Sequence, residues 1–167
     1  MPLIDPFGRT IEYVRLSVTD RCDLRCFYCL PKGYKDFEEP GEWLSFTEIE
    51  RVIKIFGELG VSRIRITGGE PLVRKNLPEL AQRLSALHGI EDLSLSTNAV
   101  QLKRYAAQLK RANVSRLNVS LDSLDADRFK SITNGGKLEK VIDGLMAAKA
   151  AGFHPIKINT VLMKGVN

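Results

Sequence analysis

Short runs rich in β-branched residues alternate along this chain with segments whose apolar residues recur every three or four positions. The runs predict five β-strands, at residues 13–19, 63–67, 92–97, 116–121 and 156–162. The helical periodicity predicts helices between them, at residues 47–59, 77–87, 102–109, 125–132 and 138–152. Because strands and helices alternate throughout, we expect an α/β fold whose parallel strands are joined by crossover helices.

The ends of these elements carry further predictions. Thr47 with Glu50 fits a capping box at the start of the first helix, and Gly60 fits its end. The segment before that helix is predicted to be a long loop, and long loops in compact domains are usually functional. No helix follows the last predicted strand, so we expect an incomplete piece of sheet or a partner that covers this edge.

Composition is that of an ordinary globular protein. The chain has 167 residues, enough for one domain, of which 44% are hydrophobic and 27% charged. No apolar run suits a bilayer and no secretory leader is present, so we expect a cytoplasmic protein without membrane partners. The net charge of +5 suits an anionic small molecule, and the scattered basic residues argue against direct nucleic-acid binding.

All three cysteines lie in one segment of the long loop, C-D-L-R-C-F-Y-C, as Cys22, Cys26 and Cys29. Their spacing suits a [4Fe–4S] cluster with one iron left open for a second molecule. A zinc site would need a fourth ligand, namely His88, His154 or a carboxylate, and neither histidine is near in sequence. Buried structural cysteines are a third interpretation, whereas the odd count argues against disulfides.

Glycine and polar residues follow the strands, at the edge where parallel α/β folds bind ligands. Gly68, Gly69 and Glu70 come after the second strand, either as a tight turn or as backbone that a ligand touches. Ser120 and Asp122 follow the fourth strand, where capping of the next helix is the alternative to a functional role.

Three cations fall inside predicted strands, where an unpaired charge has little room. They are Arg15, Arg65 and Lys157. If they point into a cavity they bind an anion, and the guanidinium group suits phosphate. The alternative is an exposed strand edge or an ion pair.

Several motifs together resemble a known family. C-x3-C-x-aromatic-C after the first strand and G-G-E-P after the second resemble the radical S-adenosylmethionine (SAM) superfamily. The segments D-P-F-G-R-T-I-E-Y-V-R-L-S-V-T-D, R-I-T-G-G-E-P-L-V-R, N-V-S-L-D-S-L-D and I-K-I-N-T-V-L-M-K-G-V-N resemble, more narrowly, the GTP 3′,8-cyclases of molybdenum cofactor biosynthesis. The resemblance covers essentially the whole chain and implies a partial TIM-type barrel of parallel βα units, about five strands of it here.

The resemblance implies a radical reaction. Cys22, Cys26 and Cys29 would hold a [4Fe–4S] cluster, and SAM would chelate its open iron. Reductive cleavage of SAM would give a 5′-deoxyadenosyl radical that abstracts the 3′ hydrogen of GTP, leading to cyclisation at C8. The implied partners are GTP, a reduced electron donor and the pterin synthase that acts next, with a homodimer as an assembly to test.

Individual positions match the family's ligand contacts. Those implied to bind SAM are Tyr28, Gly69 and Ser120. Those implied to bind GTP are Arg15, Arg65, Ser96 and Lys157. Two positions depart from the family's pattern, since Ser96 replaces a threonine and Ala99 replaces the usual glycine after Thr-Asn.

Chains of that family continue into the rest of the barrel and a second cysteine triad, which this sequence lacks. We therefore expect residues 1–167 to be the N-terminal part of a radical SAM core domain, weakly active or inactive alone. The alternative functions are a non-catalytic metal- or SAM-binding module and a radical SAM enzyme with another substrate.

Overall fold

A computed structural model describes residues 2–30, 33–37 and 40–167 of the chain. The predicted long loop therefore includes four positions, 31, 32, 38 and 39, that lie outside the described residues. Five strands form one sheet in chain order, and every neighbouring pair is parallel. The predicted α/β fold with five parallel strands is confirmed.

The elements follow the predicted alternation closely. The strands are β1 Tyr13–Ser17, β2 Arg63–Thr67, β3 Asp92–Thr97, β4 Arg116–Ser120 and β5 Ile156–Asn159. The helices are α1 Phe46–Glu58, α2 Leu77–Ser85, α3 Leu102–Arg111, α4 Ala126–Ile132 and α5 Leu138–Ala150. Short 3-10 turns span Pro40–Glu42 and Pro71–Val73. No helix in the described ranges combines the length and apolar character that a membrane span requires.

Predicted boundaries are wrong at α1 and β5, and β1 also ends earlier than predicted, at Ser17 instead of residue 19. The capping box of α1 is formed by Ser45 and Glu48 rather than by Thr47 and Glu50. Ser45 accepts a hydrogen bond from the Glu48 backbone N–H at 3.3 Å, and the Glu48 carboxylate accepts one from the Ser45 N–H at 2.8 Å. Strand β5 ends before residue 162 because the next residues turn toward the end of β4, where the Thr160 hydroxyl donates to the Leu121 carbonyl at 2.8 Å.

The two faces of the sheet differ sharply in chemistry. Side chains alternate between the faces along each strand, and paired residues of parallel strands lie on the same face. One face, here called the apolar face, carries Val14, Leu16, Ile64, Ile66, Leu93, Leu95, Leu117 and Val119. These residues belong to one core cluster with the inner sides of the helices. Burial of this face holds the fold together.

The opposite face, here called the polar face, has no apolar layer in β2–β4. It carries Arg15, Arg65, Ser94, Ser96, Asn118, Lys157 and Ser120. In closed TIM barrels the corresponding interior is filled by bulky branched side chains. Cations, hydroxyls and an amide in this position are suited to a polar ligand rather than to a packed core.

Candidate cluster and ligand site

The cysteine loop lies at the carboxyl end of β1 and is fastened to the end of α4. The Arg25 N–H donates to the Thr133 carbonyl at 3.2 Å, and the Phe27 N–H donates to the Ile132 carbonyl at 3.1 Å. All three cysteines are free thiols, with Cys22 and Cys26 half-buried and Cys29 exposed. The loop therefore presents three thiols from a backbone that is tied to a distant part of the chain.

Burial keeps two of these thiols protonated while no metal is bound. It raises the pKa of Cys22 to about 11 and also raises the pKa of Cys26. Metal binding must therefore release protons, as thiolate ligation generally does. Within the described ranges, no three His, Cys, Asp or Glu side chains are grouped as ligands of a metal ion.

Gly68 and Gly69 bring the loop after β2 into direct contact with the cysteine loop. A Cβ atom on Gly69 would lie 2.6 Å from the Asp20 carbonyl oxygen and would also clash with that of Arg21. A Cβ on Gly68, whose φ is +153°, would overlap the Thr19 carbonyl. The two glycines are thus required by backbone packing, whatever ligand contact the Gly69 backbone makes.

Glu70 is a buried structural carboxylate at this junction, not a free ligand group. Its Oε1 accepts hydrogen bonds from the Leu72 N–H at 3.0 Å and the Thr97 hydroxyl at 2.8 Å. Its Oε2 accepts one from the Asn98 N–H at 2.6 Å. Burial raises the pKa of Glu70 to about 7, although all three donors oppose that shift. Glu70 therefore joins the loop after β2 to the end of β3.

Tyr28 is held by the end of β4. Its hydroxyl donates to Asp122 Oδ2 at 2.6 Å, and Asp122 Oδ1 accepts from the Val161 N–H at 2.9 Å. Burial and this hydrogen bond raise the pKa of Tyr28, so the phenol stays protonated. The capping alternative for Ser120 and Asp122 is wrong, because Asp125 caps α4 through the Arg128 N–H.

The residues predicted to bind GTP share the polar face. Arg15 pairs with Arg65 across β1 and β2, while Ser96 and Lys157 both pair with Asn118 of β4. Arg65 Nε is buried without a hydrogen-bond partner, and its guanidinium lies 5.3 Å from the centre of the Tyr13 ring. Among the described residues, Arg15, Arg65 and Lys157 form no ion pair, so the ion-pair alternative is wrong. Arg15 and Lys157 are exposed on the two edge strands of the sheet, as the exposed-edge alternative expects.

Sequence reasoning did not connect two polar residues at strand ends, Asn98 and Asp122, with the cysteine loop that they hold. Asn98 contacts both Cys22 and Asp23, which are 76 and 75 positions away in the chain. Asp122 reaches Tyr28 across 94 positions. The available signal is position, since Asn98 directly follows β3 and Asp122 lies two residues past the end of β4, at the ligand-binding edge.

Solved structures share this architecture at low sequence identity. The crystal structure of HydG, a maturase of the [FeFe]-hydrogenase, superposes with a TM-score of 0.72 at 15% identity, covering 89% of this chain and 34% of that one. The crystal structure of methylornithine synthase (PylB) gives a TM-score of 0.72 at 17% identity, covering 96% and 47%. These likenesses establish the fold, a partial TIM-type barrel, in which the loop after the first strand carries three free thiols.

The family follows from the sequence comparison. The chain belongs to the radical SAM superfamily, whose family model matches residues 16–167. Proteins named GTP 3′,8-cyclase from Hydrogenovibrio crunogenus and Geobacter sulfurreducens are each 52% identical over the full chain. The chain spans about half the length of these relatives, 51% in both cases.

Membership of this superfamily implies a [4Fe–4S] cluster and SAM as cofactors. The residues present fit the cluster, because three free thiols share one loop and the Cys22 sulfur already accepts hydrogen bonds. The donors are the Leu24 N–H at 3.4 Å and the Asn98 side-chain amide at 3.7 Å. Superfamily membership, rather than this geometry, favours the iron–sulfur interpretation over zinc and over structural cysteines.

Proposed function

We propose that the chain is the SAM-binding part of a GTP 3′,8-cyclase that acts in molybdenum cofactor biosynthesis in the cytoplasm. The observation that carries the proposal is the polar face, where Arg15, Arg65 and Lys157 have no ion-pair partner among the described residues. A nucleoside triphosphate supplies the negative charge that such a surface selects. The names of the relatives at 52% identity support GTP as that nucleotide.

The roles of individual residues are part of this proposal. Cys22, Cys26 and Cys29 hold the cluster, while Tyr28, Gly69 and Ser120 bind SAM. Arg15, Arg65, Ser96 and Lys157 bind GTP on the polar face. When bound, the cluster and SAM supply the radical that removes the 3′ hydrogen of GTP before ring closure at C8. The protein's own task is to hold both ligands in register and away from water.

The proposed partners follow from the reaction. One electron must enter from a reduced donor, and the cyclised nucleotide must pass to the pterin synthase of the pathway. A homodimer remains a prediction, which sedimentation of the purified chain would check. Residues 1–167 are proposed to form the N-terminal part of the radical SAM core domain.

SAM cleavage tests the first half of the proposal. After anaerobic reconstitution with iron and sulfide, we expect the protein to convert SAM to methionine and 5′-deoxyadenosine under strong reductant. Cys26→Ala should abolish cleavage and the cluster's absorbance, whereas Lys54→Ala, on the exposed side of α1, should change neither. Retention of both signals by Cys26→Ala would refute the cluster assignment.

GTP tests the second half. We expect the 167-residue chain to bind GTP but to cyclise it weakly or not at all, because half of the relatives' length has no counterpart here. A protein that binds SAM without cleaving it would instead be a non-catalytic module. SAM cleavage by a protein with no affinity for GTP would point to another substrate.

A further inference from the structure

We propose that Asn98 is a positioning residue for the iron–sulfur cluster, whose side-chain amide holds the Cys22 sulfur and the Asp23 carboxylate and makes the cluster easier to reduce. Asn98 follows β3, on a different loop from the cysteines. The inference concerns the cluster site alone and does not depend on GTP as the substrate.

The amide nitrogen of Asn98 carries two hydrogens, and two acceptor atoms of the cysteine loop lie within reach of them. Its Nδ2 lies 2.7 Å from Asp23 Oδ1 and 3.7 Å from Cys22 Sγ, within the longer range of hydrogen bonds to sulfur. The remaining Asp23 oxygen accepts from Gln101 Nε2 at 3.1 Å. Two consecutive residues of the cysteine loop are therefore held by one side chain from the loop after β3.

The orientation of this amide is fixed by its surroundings. Asn98 Oδ1 accepts a hydrogen bond from the Val100 N–H at 3.0 Å. A flipped amide would place its oxygen against the Asp23 carboxylate and its NH2 group against the Val100 N–H, which is repulsive on both sides. The Asn98 backbone is held as well, by its N–H donating to Glu70 at 2.6 Å. The nitrogen is thus the atom that faces the sulfur.

A donor at a ligand sulfur favours the reduced cluster. Reduction adds one negative charge, and an N–H group that points at the thiolate stabilises this charge. Asp23, next to Cys22 in the chain, and Glu70, which accepts from the Asn98 N–H, are carboxylates whose negative charge opposes reduction. Asn98 donates to an oxygen of each, from its side chain and its backbone, so it offsets the negative charge at this cysteine.

Two variants separate this role from a structural one. Asn98→Asp keeps the shape, the acceptor for Val100 and the backbone bond to Glu70, but replaces the donor with a carboxylate. Asn98→Ala removes the side chain. Gln101→Ala is the matched control, because it removes the other amide donor to Asp23 and leaves the contact with Cys22 intact. The measurement is the midpoint potential of the reconstituted cluster by EPR-monitored titration, without SAM or GTP.

In Asn98→Ala we expect one-electron reduction of the cluster to become about fivefold less favourable, the usual net effect of one hydrogen bond. The shift should be larger in Asn98→Asp and absent in Gln101→Ala.

Failure of both Asn98 variants to load iron, with unchanged thermal unfolding of the apoprotein, would also support the positioning role. An unchanged potential, an equal shift in Gln101→Ala, or unfolding of both Asn98 variants would overturn the proposal. If the unmodified protein does not cleave SAM or does not bind GTP, that result counts against the proposed function. The midpoint-potential measurement still tests the role of Asn98.

Discussion

The polar and apolar faces of the sheet divide two tasks between alternate residues of the same strands. Ile66 is fully buried under the helices, whereas Arg65, one residue earlier, lies on the polar face with an unpartnered Nε. Closed barrels of this type fill the interior with branched apolar side chains, and here that position is given to cations and hydroxyls. Stability and ligand recognition are therefore expected to respond to different substitutions, even at adjacent positions.

The largest effect is expected on the apolar face. Ile66→Ala should lower the free energy of unfolding by about 2–5 kcal/mol, because it leaves a cavity in a fully packed core. Urea unfolding of the cluster-free protein measures this loss. SAM cleavage at a temperature where the variant stays folded should be nearly unchanged. A stability loss below about 1 kcal/mol would mean that this face is less tightly packed than described.

The opposite pattern, weaker ligand binding without a loss of stability, is expected one residue away, on the polar face. Arg65→Met should weaken GTP binding by about ten- to a hundredfold, because charge-assisted hydrogen bonds to phosphate are lost. Its stability should be unchanged or slightly higher, since Arg65 makes no hydrogen bond or ion pair among the described residues. Equilibrium dialysis with GTP gives the first quantity and urea unfolding the second.

Arg65→Lys is the matched variant for that experiment. It keeps the charge but loses the planar fork, so we expect an intermediate affinity for GTP. Equal GTP affinity in the original protein and in Arg65→Met would remove Arg65 from the binding site and weaken the division between the faces.

A smaller effect is expected where the two faces end, at the cysteine loop. Tyr28→Phe removes the hydroxyl that donates to Asp122 at 2.6 Å and keeps the ring. Because Tyr28 is partly exposed, we expect a stability loss of about 1 kcal/mol, with weaker SAM binding as the loop loosens. Thermal unfolding and a SAM titration measure the two effects. Full SAM affinity in Tyr28→Phe would show that the ring alone positions the ligand.

The smallest expected effect is a gain in stability, at Ala99. Ala99 has φ +62°, a left-handed conformation that costs a non-glycine residue about 1–2 kcal/mol. Ala99→Gly would relieve this cost but give up a buried methyl worth about 0.8 kcal/mol, leaving a net gain of about 0.5 kcal/mol. Urea unfolding of this variant checks the sign. A loss of stability would mean that packing of the methyl outweighs the backbone strain.

The sequence predicts the fold well because its signals are local. Strands β2 and β3 match their predicted ranges, since alternation and flanking glycines are read within a few residues. The capping box of α1 was misplaced because S-F-T-E and T-E-I-E both fit the motif two residues apart. Only the hydrogen bond actually formed by Ser45 decides between them.

The sequence predicts the cysteine ligands of the candidate site but not the residues that hold the cysteine loop in place. Cysteine spacing and the resemblance point to Cys22, Cys26 and Cys29, while nothing local connects Asn98 or Asp122 with them. Those contacts depend on how loops from separate strands meet at one edge of the sheet. A pattern within one segment of the chain contains no information about tertiary contacts between distant loops.

The distant anchoring of the cysteine loop also sets an order of events during synthesis. The three thiols leave the ribosome early, but Thr133, which holds the Arg25 N–H, follows about a hundred residues later. At about 5–20 residues per second, the ligands wait on the order of 5–20 seconds before their loop acquires its final shape. Cluster insertion into the finished loop therefore has to wait until Thr133 has been synthesised, and an oxidant that reaches the nascent chain before then meets three unprotected thiols.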